Sequence, residues 1–173
     1  MLAPEKNWWK PLHRSEKTWV TVAFIWCIML TAMMPIWFMS GRQNVPTVTY
    51  TTTPDEYKAD VDAFVEEYGT GESLNGVPIV APPPGSDIYI LARQWQWYPI
   101  LQLEEGAEYD LHLSSLDVQH GFSLQPVGLN LQILPGYDYV ATIIPTTTGE
   151  FSIICNEYCM IGHHLMLGKI FVE

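Results

Sequence analysis

Cysteine is scarce in this chain, with three residues in 173. That is too few for a disulfide framework, so any fold must rest on an ordinary apolar core. Positive charge is scarcer still beyond residue 42, where 17 acidic residues face only Lys58, Arg93 and Lys169, a balance of −14 with histidine neutral. Such a surface offers no footprint for a nucleic acid backbone. It suits a basic protein partner, or it simply keeps the domain soluble. Charge is absent altogether from residues 18–39, TWVTVAFIWCIMLTAMMPIWFM. As a helix these 22 residues would extend roughly 33 Å, enough to cross a bilayer core. The run is too long for the apolar part of a signal peptide, and Ser40-Gly41-Arg42-Gln43 is a poor cleavage site. Cys27, inside the run, reads as a packing residue rather than a ligand.

The flanks of this run differ. Lys6, Lys10, Arg14 and Lys17 precede it against Glu5 and Glu16, together with Trp8 and Trp9. Basic residues remain on the cytoplasmic side and tryptophan favours the membrane interface, so the N-terminus is expected inside and the following domain outside. Pro35 should kink the helix near its outer end. Residues 41–53, rich in Val and Thr, read as an extended linker. Pro54-Asp55-Glu56 opens a helix with acid in its first turn. Val61, Phe64, Val65 and Tyr68 form its apolar stripe, and Gly69 and Gly71 end it. That stripe is expected to pack on neighbouring membrane subunits. Residues 74–85, with Pro82-Pro83-Pro84-Gly85, form a connection. The division is a cytoplasmic N-terminus over 1–17, a membrane helix over 18–39, a linker with a short helix over 40–86, and a folded domain over 87–173.

From Asp87 the apolar period becomes two. Ile88, Ile90 and Ala92 alternate with Asp87, Tyr89, Leu91 and Arg93. Tyr109, Leu111 and Leu113 alternate with their neighbours, as do Phe151, Ile153 and Cys155. Short strands separated by Gly, Pro and Asp indicate a mainly β sandwich or barrel. Cys155 then stands where a strand leaves the core.

The chain ends on its most informative stretch, Cys155-Asn156-Glu157-Tyr158-Cys159-Met160-Ile161-Gly162-His163-His164-Leu165-Met166. Thiolate, imidazole and thioether suit copper better than magnesium, calcium or manganese. Cys159, His163 and Met166 form the short ligand loop of a mononuclear blue-copper site, and the second thiolate, Cys155, permits two bridged coppers, a CuA centre. A further imidazole is required, and His120 in Asp117-Val118-Gln119-His120-Gly121-Phe122 is the candidate. Structural zinc, which has no use for Met166, and a Cys155–Cys159 disulfide are the competing readings. His164 competes with His163, but the spacing from Cys159 favours His163. His13 and His112 belong to no motif and read as surface residues.

With these residues in view, the chain resembles subunit II of the haem-copper terminal oxidases over roughly residues 87–173, plus the anchor. The resemblance implies a cupredoxin-like Greek key behind one transmembrane helix. It implies two copper ions held by His120, Cys155, Glu157 through its backbone carbonyl, Cys159, His163 and Met166. It also implies a magnesium ion at the Glu157 carboxylate, where this chain meets the catalytic subunit. In Gln94-Trp95-Gln96-Trp97-Tyr98, Trp95 falls on the residue that receives the electron from cytochrome c, and Trp97 is expected on the same side. Gln96 stands where many relatives have tyrosine. Cytochrome c would dock on the acidic outer face, and the electron would pass to haem in the catalytic subunit for oxygen reduction and proton translocation. The chain itself offers no residues for oxygen chemistry. Quinol-oxidising relatives lack the copper ligands. The CuA subunit of a nitric oxide reductase, or an anchored copper carrier without an oxidase, remains the alternative. The single anchor resembles that of the shorter B-type oxidases, the type expected on that feature alone, while Trp95 and Glu157 resemble the A-type.

The expected topology is open to a direct check. Protease added outside spheroplasts should digest the domain beyond residue 42 and spare the N-terminus, and a protected domain would reverse the orientation.

Overall fold

A computed structural model describes residues 11, 13–41, 46, 48–125 and 127–173. The chain divides into two units, Met1–Arg42 and Gln43–Glu173. Lys6, Lys10, Trp8 and Trp9, on which the expected orientation rests, lie outside the described residues.

In the first unit, helix α1 (Arg14–Ser40) encloses the uncharged stretch and buries no side chain within the molecule. Its 27 residues extend about 40 Å, and it is long and apolar enough to cross a membrane. Trp19, Phe24, Trp26, Ile36 and Phe38 are exposed along it, an arrangement stable only in an apolar surrounding. His13 caps its start. The His13 N–H donates to the Glu16 carboxylate at 2.7 Å, and the ring accepts from the Ser15 N–H.

The second unit holds strands β1 (Val48–Thr51), β2 (Gly69–Leu74), β3 (Val77–Val80), β4 (Asp87–Arg93), β5 (Gln96–Tyr98), β6 (Ile100–Leu103), β7 (Tyr109–Ser115), β8 (His120–Leu124), β9 (Leu129–Ile133), β10 (Tyr137–Ile143), β11 (Gly149–Cys155) and β12 (Leu167–Val172). They form two sheets, β1-β10-β7-β4-β5 and β2-β3-β6-β12-β11-β8-β9. The alternation read from the sequence decides what faces what. Ile88, Ile90, Ala92, Leu111, Leu113, Ala141 and Ile143 of the first sheet are buried in one core with Phe122, Leu124, Ile133, Ile153 and Ile170 of the second. The fold is a mainly β sandwich.

Residues 40–86 contribute more than a connection. β1 pairs antiparallel with β10, and β3 runs parallel to β6. Helix α2 (Pro54–Tyr68) begins at a capping box in which Thr53 Oγ1 accepts from the Glu56 N–H at 3.2 Å and the Thr53 N–H donates to Glu56 at 2.9 Å. Its stripe does not wait for a membrane neighbour. Tyr57, Val61 and Phe64 are buried in this unit. Tyr57 and Val61 pack with Leu91, and the Tyr57 hydroxyl donates to the Ile90 carbonyl at 3.1 Å. The helix covers the outer face of β4.

His112 is likewise not a free surface residue. Its ring stacks on Tyr89 with centroids 4.6 Å apart, and Nδ1 bonds to Asp138 at 2.7 Å. Burial opposes the charged ring, but the bond to Asp138 and the charges of Asp138, Asp87 and Asp110 outweigh it and raise its pKa. A proton held more tightly in the folded state stabilises it fully below the ordinary histidine value, and that contribution fades as pH rises through the elevated one.

Phe64 tests the docking of α2. It is 4% exposed and lies 5.4 and 5.6 Å, centroid to centroid, from Tyr68 and Tyr89. Phe64→Ala should destabilise the isolated chain by about 3–5 kcal/mol, measured by urea denaturation. A parent-like midpoint would return α2 to the role of an interface helix.

Candidate metal centre

The sulfurs come together because one hairpin closes around them. Cys155 is the last residue of β11, and Leu167, the first of β12, pairs with Ile154. Between them the chain must turn back, and the Cys155 N–H donates to the Met166 carbonyl at 3.3 Å, fastening the two ends of the loop. Met160, with φ +80°, makes the reversal in a left-handed conformation, which costs a non-glycine residue on the order of 1–2 kcal/mol. A 3-10 turn, His163–Leu165, completes it.

This loop and its neighbours gather every sulfur and imidazole anticipated from the sequence. Cys155 Sγ lies 3.6 Å from Cys159 Sγ, too far for a disulfide. Around Cys155 stand His120 Nδ1 at 3.9 Å and the Glu157 carbonyl at 3.3 Å. Around Cys159 stand His163 Nδ1 at 3.7 Å and Met166 Sδ at 3.7 Å. His164 is exposed. Among the described residues, His120, Cys155 and Cys159 are the one group of His, Cys, Asp or Glu with three ligand atoms mutually close enough to hold a metal ion. The Glu157 carboxylate is outside it and accepts from Gln132 Nε2 at 3.1 Å. Burial, and then the neighbouring Cys155 thiol, push the Cys159 thiol up to about 12. A bound metal must therefore expel a tightly held proton. The buried thioether at Met166 favours copper over zinc.

Two residues quoted in the sequence but given no role prove structural. Asp117 accepts from His120 Nε2 at 2.8 Å, which leaves Nδ1 to face the sulfur. It also accepts from the backbone N–H of Gln94 at 2.7 Å and of Val118 at 2.6 Å. Burial works against the Asp117 charge, but these three bonds prevail and hold its carboxyl below the ordinary range. A carboxylate three residues before a candidate ligand histidine was the signal available. Gly121 leaves room for the ligand loop, since a Cβ there would stand 2.7 Å from the Glu157 nitrogen.

The two tryptophans of 94–98 part company. Trp97 is 2% exposed, with Phe122 edge-on at 5.4 Å and His120 at 6.1 Å between centroids. Trp95 lies in the turn between β4 and β5, is 41% exposed, and donates from Nε1 to the Cys159 carbonyl at 2.9 Å.

The surface around the centre is apolar, with Trp95, Tyr158, Met160, Ile161, Leu165 and Leu167 all exposed. Part of the acid stands away from it. Glu104, Glu105, Glu108, Asp110, Glu150 and Glu173 sit at the ends of β6, β7, β11 and β12 that lie opposite the ligand loop. The Glu105 N–H donates to the Glu173 carbonyl there at 2.7 Å.

No family model matches the chain. Individual relatives do. A cytochrome c oxidase subunit 2 of Thermus thermophilus is 27% identical over 163 residues, 93% of this chain and 97% of that protein. A second Thermus thermophilus protein of the same name is 36% identical over 87 residues, 50% of this chain and 64% of that one. Among solved structures, a chain from the cryo-EM structure of a haem-copper terminal oxidase dimer superposes with a TM-score of 0.60 at 25% identity, covering 92% of this chain and 100% of that chain. The copper protein rusticyanin, 16% identical, shares the fold with a TM-score of 0.52 over 73% of this chain and 98% of its own. The sandwich is therefore cupredoxin-like.

Asp117→Ala should remove the partner of His120 Nε2 and weaken copper affinity by about 10–100-fold, measured by competition with a copper chelator. Unchanged affinity would mean that packing alone orients the ring.

Proposed function

Because the chain is a relative of subunit II of the haem-copper terminal oxidases, we propose that it is the electron-accepting subunit of a membrane terminal oxidase. The observation that carries this is the pair of sulfurs 3.6 Å apart, flanked by two imidazoles, a carbonyl and a thioether. The ligand set is His120, Cys155, the Glu157 carbonyl, Cys159, His163 and Met166. These residues would hold two copper ions, which would supply one-electron transfer with little rearrangement, the CuA chemistry.

The chain's own part is to hold the donors still. Cys155 is fixed by strand pairing, with Phe122 as its cross-strand partner. The Met166 backbone is tied to Cys155, and His120 is locked by Asp117 and walled by Trp97. Ligands fixed in this way need little rearrangement when the charge changes. Exclusion of water raises the energetic weight of each donor.

Cytochrome c is the proposed donor. It docks on the apolar rim around Trp95 rather than on the acidic end. The electron crosses from Trp95 through the Nε1–H bond to the Cys159 carbonyl, and then leaves for haem in the catalytic subunit, the seat of oxygen reduction and proton translocation. The Glu157 carboxylate, held by Gln132, is the oxygen this chain would give to magnesium at that subunit interface. Helix α1 is the anchor, with residues 1–17 cytoplasmic and the copper domain outside the cell membrane. That domain takes in β1, α2 and β3 as well as residues 87–173.

The full chain loaded with copper should bind two ions and give a seven-line electron paramagnetic resonance pattern from one electron shared over two nuclei. Cys155→Ser should abolish that pattern, since one thiolate cannot hold the same bridged pair. One copper with a single-nucleus four-line spectrum in the parent would overturn the binuclear assignment.

A further inference from the structure

Gly162 precedes the ligand His163, and its backbone is ordinary, with φ −87° and ψ 6°. Any L-residue tolerates that conformation, so chain geometry does not explain the glycine. Its surroundings do. A Cβ built on Gly162 would stand 2.6 Å from Trp95 Cε3 and Cγ, with Cδ2 closer still. These atoms belong to the face of the indole, so the ring lies flat against the bare Cα. Its edge is fixed separately by the bond from Nε1 to the Cys159 carbonyl. The seat and the hydrogen bond both belong to the segment Cys159–Gly162, which joins one bridging thiolate to His163.

We infer that Gly162 is a positioning residue for Trp95, and that its missing side chain sets the ring in contact with the metal loop. The inference rests on the reading of Trp95 as the electron port. In the step concerned the donor loses one electron and the copper centre gains it. The indole serves as the bridging medium, without net oxidation and without proton transfer. A methyl group at residue 162 leaves the 3-10 turn intact, because the Leu165 N–H still reaches the Gly162 carbonyl, 2.9 Å away in the parent. It pushes the ring outward and breaks the Nε1 bond. Both changes loosen the contact between the ring and the loop, and electron transfer weakens steeply as such a contact opens.

The test uses the full chain with tryptophan labelled at the indole nitrogen, alone and assembled in its oxidase. Trp95→Phe identifies the Trp95 indole signal by its loss. In the metal-free chain, solvent exchange of that indole proton should be about tenfold or more faster in Gly162→Ala than in the parent. In the assembled oxidase, Gly162→Ala should keep the copper resonance spectrum and slow stopped-flow reduction by a reduced c-type cytochrome by about tenfold or more. Adding Gly162→Ala to Trp95→Phe should bring no further slowing. Should Gly162→Ala disturb the copper spectrum, Trp95→Ala in the same chain should restore it by removing the clashing ring. A protected indole proton in Gly162→Ala overturns the positioning role. So does a spectral defect that persists without the ring. Trp95→Phe transferring at the parent rate instead overturns the port reading beneath it, whatever Gly162 does to the ring.

Discussion

A single backbone hydrogen bond, from the Cys155 N–H to the Met166 carbonyl at 3.3 Å, closes the loop on which the rest of this molecule converges. It joins the last residue of β11 to the residue before β12, so the chain between them must fold back above the sheet end. Everything chemical follows from that closure. The two sulfurs meet, the 3-10 turn delivers His163 beside one of them, and Met166 is driven into the core. The sandwich supplies the other wall. β8 begins at His120, pairs with β11 and places the second imidazole beside Cys155. Without the apolar contact between the sheets, the upstream and downstream halves of the ligand set would not share a site.

How far this was legible in the sequence depended on whether a feature was written locally. The candidate ligands were legible as a set that the fold would bring together, because their chemistry is in the residue types and their spacing. Helix α2 was legible to its ends, because Pro54, Asp55, Glu56 and Gly69 are local signals. Its burial was not, because an apolar stripe shows that something covers it and never what. β1 was hidden for a related reason. All four of its residues are exposed, so no alternation marks it, and only its pairing with β10 makes it a strand. His112 looked free because its partners, Asp138, Asp87 and Tyr89, are distant in sequence.

Trp95 and Trp97 show the limit of period-two reasoning. Two residues apart in a strand share a face, but Gln94 and Trp95 form the turn between β4 and β5, and a turn breaks the period. One ring therefore packs beside His120 while the other reaches the surface. The pair brackets the metal loop, with Trp97 shielding it from within and Trp95 touching it from outside. Asp117 ties the two arrangements together, because it holds both His120 and the backbone of Gln94, the residue before Trp95. The candidate ligand His120 and the surface ring thus share one anchor.

The strand ends opposite the candidate ligand loop gather six carboxylates, so that end of the second unit is strongly negative. Along the strands that end lies away from the sulfurs. If the rim around Trp95 is where a donor docks, a strongly cationic protein would be drawn first to the other end. Added salt, which ordinarily slows attraction between opposite charges, would here release misdirected partners and leave more of them free to find the rim. Recognition at the rim would then fall to apolar fit, with the charge set against the most basic candidates.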